Sequence, residues 1–286
     1  MNIITKLLCS AACLAATSVS AKDLEVTHWW TSGGEAAAVS TLAKAFNEKT
    51  DHNWIDGAIA GGGGTSIPAI ISRIIGGEPM GATQLNHGRQ AQELIEAGMM
   101  TDLTEIAEAQ GWRDIVNPVS LLDSCTVDGR VYCVPVNIHS AQWLWVSHGA
   151  FEKAGLAIPK NWDEFVAGSA ELEKNGIVPL AMGQQGWQQS IAFGALVLGV
   201  VGVDKFLEVT GDKNAEVAAG PEWTRAFQSV ANARELARKS KVQDWNLATN
   251  MVITDTAGGQ IMGDWAQGEF QVAGEVAGVD YSCLPG

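Results

Sequence analysis

Nowhere after its first 21 residues does this 286-residue chain hold an apolar run near the roughly 18 that a membrane-spanning helix requires. The stretch "IAFGALVLGVVGV" stops at 13 and is interrupted by glycine. Basic residues are scarce as well: 18 Lys and Arg stand against 32 Asp and Glu, a formal charge of −14. Nucleic acid is disfavoured as a partner, because its affinity comes from Lys and Arg displacing counterions from phosphates. A negative surplus of this size instead keeps an exported protein dissolved. Cysteine is sparse. Of five, Cys9 and Cys13 lie in the first 21 residues, leaving Cys125, Cys133 and Cys283. No CxxC spacing occurs and no His is close in sequence to these thiols, so no metal site is expected. The run "GGGG" at 61–64 precedes a helix, but no Gly-Lys-Ser/Thr follows, and the dinucleotide fingerprint with its downstream acid is not in place. Neither a nucleotide nor any other cofactor is expected.

What is present begins with an export signal. Lys6 gives residues 1–21 a basic start, "LLCSAACLAA" an apolar core and "VSA" a small-residue cleavage site, which predicts a cleaved leader and a periplasmic protein. Loss of Lys6 takes the formal charge to −15. In "CTVDGRVYC", Cys125 and Cys133 flank an Asp-Gly hairpin signal almost symmetrically, so they can face each other across two strands. A disulfide is the expectation in an oxidising compartment.

Strand and helix patterns alternate along the chain. "DLEVTHWW" reads as a strand, and "EAAAVSTLAKAFNEKT" as a helix with Val39, Leu42, Ala43 and Phe46 on one face. "NWIDGAIA" reads as a second strand, "SIPAIISRIIGGE" as a helix with Pro68 near its start, and "ATQLNH" as a third strand. Beyond the cysteine hairpin the alternation resumes. In "NWDE", Asn161 and Glu164 form a capping box at the head of a helix, which gives Asp163 and Glu164 a structural reading. Gly199 and Gly202 interrupt the next apolar helix. "VQDWNLATN" reads as a Trp-bearing loop, and "TDTAGGQIMGDWAQGEF" as a strand turning into a helix. Repeated βα units predict an α/β fold with mostly parallel sheets flanked by helices.

Aromatic usage is lopsided, with eleven Trp against two Tyr and seven Phe. An indole offers a broad apolar face and one N–H donor, which suits a ligand with C–H faces and a hydroxyl rim, as a sugar has. Trp29 and Trp30 would point to opposite faces inside a strand. At the C-terminal end of a strand, where open α/β sheets bind ligands, both can line one crevice.

On "FEKAGLAIPKNWDEF" and "GQIMGDWAQGEF", with "HWWTSGGE", "GGGG", "TQLN", "VPVNIH" and "MGDWA" in the same order, the whole mature chain resembles the extracellular solute-binding proteins of sugar ABC importers. The likeness is to the glucose/mannose branch related to maltose-binding protein. It implies a type II periplasmic binding protein fold of two α/β lobes joined by hinge crossovers. The N-terminal lobe would span 22–133, the C-terminal lobe 134–280, and 281–286 would begin a return crossover. The implied ligand contacts are Trp29, Trp30, Glu35, Gln84 and Asn86 from the first lobe, and Trp245 and Trp265 from the second. His139, Gln142 and Trp187 join them by position. Glu35 can equally serve a helix N-terminus, and His139 can be a satisfied hinge residue.

The resemblance further implies a monomer that binds a monosaccharide and hands it to membrane permease subunits, or presents it to a receptor as a sensor. Members of that family run longer, and their later segment completes both lobes and adds charged ligands. A C-terminally truncated form, binding sugar weakly or not at all, is therefore expected. The rival reading is a periplasmic glycosidase, which needs two carboxylates about 5 to 9.5 Å apart. Asp264 and Glu269 are the nearest pair, and nothing in their spacing makes them converge.

Overall fold

A computed structural model describes residues 22–86 and 89–285; the expected leader, 1–21, lies outside them. β1 (Asp23–His28), α1 (Gly33–Lys49), β2 (Asn53–Ala58), α2 (Gly63–Ile75) and β3 (Ala82–Thr83) form an all-parallel sheet in the order β2-β1-β3. α1 starts where Ser32 and Glu35 make a reciprocal capping box and ends with Lys49 in its last turn, both favourable to the helix dipole. The third strand is shorter than "ATQLNH" predicts. The Gln84 N–H still reaches the Thr27 carbonyl, but the Gln84 side chain then takes the Trp29 N–H that a longer ladder would have paired with backbone.

Four helices follow: α3 (Arg89–Glu96), α4 (Thr104–Ala109), α5 (Trp112–Ile115) and α6 (Ser120–Asp123). They lead into a hairpin of β4 (Thr126–Val127) and β5 (Arg130–Val131). Its two turn residues, Asp128 and Gly129, both have positive φ, the conformation that makes Asp-Gly favourable in a two-residue hairpin loop. Cys125 and Cys133 are joined by a disulfide, with their Cα atoms 5.1 Å apart.

The extended segment 132–142 carries the chain into β6 (Trp143–Ser147), followed by α7 (His148–Lys153), α8 (Trp162–Lys174) and β7 (Val178–Ala181). Next come α9 (Gly186–Val201), α10 (Val203–Thr210), α11 (Ala215–Ala218), α12 (Pro221–Leu236), α13 (Trp245–Ile253), β8 (Ala257–Met262), α14 (Ala266–Ala273) and β9 (Tyr281–Pro285). The sheet order is β7-β8-β6-β9. It is a mixed sheet rather than a mostly parallel one. β7 and β8 are parallel, but β6 opposes both β8 and β9, because the chain enters β6 at the end where β8 leaves, with Trp143 opposite Met262. Tyr281–Pro285, expected to begin a return crossover, pairs with β6 along its whole length.

Two further expectations are corrected. "VQDWNLATN" is not a loop: from Trp245 onward it forms α13, whose buried Trp245, Ala248, Thr249 and Val252 recur at helical spacing behind the polar Asn246 and Asn250. Helix α9 also runs through Gly199 and stops at Gly202, which alone of the two takes a positive φ.

The larger core lies under the second sheet. Phe151, Phe165, Leu172, Leu180 and Leu144 fill one side, while Trp145, Phe270 and Tyr281 stack on the other. The first sheet has the smaller clusters, one around Ile70, Ile74, Met80 and Leu94 and one around Leu122 and the disulfide. The units meet where α1 crosses α14. A β-carbon on Gly34 would fall 2.7 Å from the Gly268 backbone, so only glycine permits that approach.

Candidate functional site

β1 ends at His28 and delivers Trp29 and Trp30 to the edge of the first sheet. Their backbones are pinned by side chains: Trp29 N–H donates to Gln84 Oε1 at 3.1 Å, and Trp30 N–H to His28 Nδ1 at 3.2 Å. Because Nδ1 accepts, the His28 proton is assigned to Nε2, which donates to Asp56 at 2.5 Å. Trp29 packs on the Ile70 cluster and lies over Gly63, where an added β-carbon would sit 3.6 Å from the ring. Asn86 is exposed, its N–H bonded to Gln90 Oε1 at 3.2 Å. Glu35 Oε2 accepts from Thr31 N, Ser32 N and Ser32 Oγ at 3.2, 3.3 and 3.0 Å. Burial raises the pKa of this carboxyl against the pull of those hydrogen bonds, and the Glu269 charge raises it further. Glu35 thus serves the head of α1.

The second unit contributes an aromatic cluster centred on Trp265, the N-cap residue of α14. Its ring lies directly on Gly263, where any β-carbon would overlap the six-membered ring. His139 meets it edge-on at 5.0 Å between centroids, Trp187 at 6.2 Å and Trp245 at 6.4 Å. His139 is held from both nitrogens, Nδ1 to Asp264 Oδ1 at 2.8 Å and Nε2 accepting from Asn137 at 2.8 Å. Asp264 Oδ2 also accepts the Ser140 N–H at 3.2 Å. Gln142 is exposed and accepts from Ser140 Oγ, which in turn accepts from Trp143 Nε1. Trp245 is only 7% exposed, so it buttresses the cluster from the core side. Its carbonyl is fixed by Thr249 and Gln260.

Trp187 carries the cluster to the first unit. Its Nε1 donates to Gln185 Oε1 at 3.0 Å and would lie 3.6 Å from a β-carbon on Gly62. The residues therefore run Trp245, Trp265, Trp187, Gly62, then Gly63 under Trp29. Among the described residues, no ring contact joins Trp29 or Trp30 directly to the cluster, and no group of His, Cys, Asp or Glu is arranged to hold a metal. Four residues that matter here were not singled out from sequence: Asn137, Gln185, Asp244 and Gly263. A Gln pair ahead of a Trp-bearing turn was the visible signal for Gln185, and "GDW" for Gly263.

The family model of bacterial extracellular solute-binding proteins matches residues 30–285. A probable sugar-binding periplasmic protein of Rhizobium meliloti (strain 1021) is 37% identical over 278 residues, which is 96% of this chain and 66% of that protein. A structure from work on xylan utilisation by Caldanaerobius polysaccharolyticus superposes with a TM-score of 0.74 at 17% identity, covering 91% of this chain and 66% of its own. The bacterial solute receptor AcbH, described as having an exclusive preference for β-D-galactopyranose, gives 0.70 at 17% identity, covering 93% and 66%. The fold is the α/β fold of periplasmic binding proteins, and the chain spans about two thirds of the length of these relatives.

Proposed function

Since the chain belongs to the family of bacterial extracellular solute-binding proteins, a family of binders rather than enzymes, we propose that it binds a monosaccharide such as glucose or mannose between its two sheets and delivers it to a membrane permease. The observation that carries this reading is the Trp265 ring seated on Gly263, flanked by Trp187 and His139 at the junction with Gly61–Gly63. Indole faces cover the C–H face of a pyranose, while Asp264, Asn137 and Gln142 offer directional partners for hydroxyls. Trp29, Trp30, Gln84 and Asn86 supply the opposing wall. A ligand gripped from both sheets selects the closed arrangement, because only that arrangement contacts it twice.

Export by the leader puts the protein in the periplasm, which agrees with a disulfide at Cys125–Cys133. The glycosidase alternative finds no support in the carboxylates. Asp264 is engaged by His139 and Ser140, and Glu269 by the backbone of Gly34.

Titration calorimetry of this chain with D-glucose, D-mannose, D-galactose and D-xylose tests the proposal. Weak but saturable heat with at least one sugar, lost in Trp265→Ala and leaving the sugar chemically intact, is the expected result. Saturable binding undiminished in Trp265→Ala, or recovery of a cleaved or altered sugar, would overturn it.

A further inference from the structure

We propose that Gln185 is a positioning residue that both sets the orientation of Trp187 and bridges the two sheets; the proposal rests on the sugar-binding reading of the same site. Gln185 is the N-cap residue of α9, and its own cap geometry leaves the side chain free of any capping bond. Instead the carboxamide reaches outward and uses all four of its hydrogen-bonding positions. Oε1 accepts from Trp187 Nε1 at 3.0 Å and from Gln188 Nε2 at 2.8 Å. Nε2 donates to Asp244 Oδ1 at 2.8 Å and to the Gly61 carbonyl at 3.2 Å. Three of these partners belong to the second unit. The fourth lies 124 positions away in the first.

A primary amide has two donors and two acceptor sites, so no further bond is available to Gln185. Each side of the amide is then committed. The carbonyl end fixes an indole of the candidate site, and the amino end bridges to the other sheet. Both ends are rigidly backed. Gln188, fully buried, bonds the Gly183 N–H and the Gln243 carbonyl, so it cannot shift to follow a moving partner. On the far side, Gly61 and Gly62 have φ of 106° and 70°, values that favour glycine, and this turn aims the Gly61 carbonyl at Gln185. If the sheets part, the Gly61 bond breaks first, since its acceptor is the only partner that leaves with the other unit. The bonds to Asp244, Trp187 and Gln188 stay within the second unit, so parting the sheets removes the bridge and leaves the Trp187 acceptor in place.

The test needs no sugar, so its failure is distinguishable from failure of the binding proposal. The full chain is labelled with fluorotryptophan, the Trp187 fluorine resonance is assigned with Trp187→Phe, and the radius of gyration is measured by small-angle scattering. Gln185→Met keeps the length of the side chain and removes every hydrogen bond. Its expected effects are a displaced, broadened Trp187 resonance and an upward shift in radius, with the distant buried Trp223 resonance unmoved. The double variant Gln185→Glu with Asp244→Asn reverses the 185–244 hydrogen bond and keeps the acceptors for Trp187 and Gln188. It deletes only the donor to Gly61. Here the radius is expected to rise while the Trp187 resonance stays sharp. An unchanged radius in the double variant overturns the bridge, whether or not Gln185→Met folds. A Trp187 resonance unmoved in folded Gln185→Met overturns the positioning role.

Discussion

The Glu269 carboxylate accepts the Gly34 N–H at 2.8 Å, across 235 positions of sequence. The first N–H groups of a helix have no partner within it, and a carboxylate there both satisfies a donor and meets the positive end of the dipole. α14 therefore caps α1, and one sheet's helix holds the other's. Glu35 crowds the same helix head from within α1, which explains why the charge of Glu269 adds to the rise in its pKa. The Gly34–Gly268 crossing makes room for the contact.

We predict that Glu269→Ala lowers unfolding stability by about 1 to 2 kcal/mol, the value of a charge-assisted hydrogen bond at a helix N-terminus. Glu269→Gln keeps an acceptor and should lose less. Gly34→Ala drives a methyl into the Gly268 backbone and should cost about 1 to 3 kcal/mol, as overpacking does. Urea denaturation measures all three. Wild-type stability in Gly34→Ala would mean that the helices do not cross there in solution.

Glu35 makes stability depend on pH in a defined direction. Its folded pKa lies above the unfolded one, so its contribution is fully present below the ordinary glutamate range and is lost as pH rises through the raised value. Gln at this position keeps the capping-box acceptor without titrating. The stability of wild type minus that of Glu35→Gln should therefore fall as pH rises from the ordinary glutamate range through the raised folded value. Parallel thermal melts across that window decide it; a constant difference contradicts the burial of the carboxyl.

Reduction of the Cys125–Cys133 disulfide, which closes a loop with a sequence separation of 8, should destabilise the protein by about 2 to 3 kcal/mol on the chain-entropy estimate. Cys283 is exposed and unpaired. Among the described residues, alkylation of the native, unreduced protein should thus mark Cys283 and leave Cys125 and Cys133 unlabelled. Labelling of Cys125 or Cys133 without reductant would refute the pairing.

Trp265→Ala should weaken sugar binding up to about tenfold beyond the effect of lost burial, since stacking contributes roughly 0.5 to 1.5 kcal/mol. Gly263→Ala should do similar harm without touching the indole itself, because its methyl displaces the ring. Calorimetry with the tightest of the four sugars compares them. Full affinity in Gly263→Ala would show that the ring does not need its seat on the backbone.

Local pattern made part of this architecture legible. The β1–α1–β2–α2 alternation follows from apolar spacing, and Asn161 caps its helix as expected, its Oδ1 accepting from Glu164 N at 2.9 Å, while the Glu164 carboxylate reaches back to the Lys160 N–H rather than to that of Asn161. Asp128–Gly129 likewise turns the hairpin as its dipeptide predicts. Features decided at long range were not legible. β3 stops because a side chain 55 positions from Trp29 takes the place of a strand partner. The helix at Trp245 was obscured by Asn246 and Asn250, which resemble turn residues until the buried partners of the opposite face are known. Gln185 gave almost no local signal, since its importance lies in Gly61 and Asp244, 124 and 59 positions away.

The Trp187, Trp265 and Trp245 rings have an optical consequence. Trp265 stands within 6.2 and 6.4 Å of its two neighbours, at interplanar angles of 51° and 88°. At such separations the strong ultraviolet transitions of neighbouring indoles mix, and inclined chromophores, unlike parallel ones, convert that mixing into a signed couplet in circular dichroism. Among the described residues, no other two indoles are in ring contact. Any molecule that lands on Trp265 perturbs both couplings at once, so the protein carries a built-in chiral reporter at the proposed sugar site.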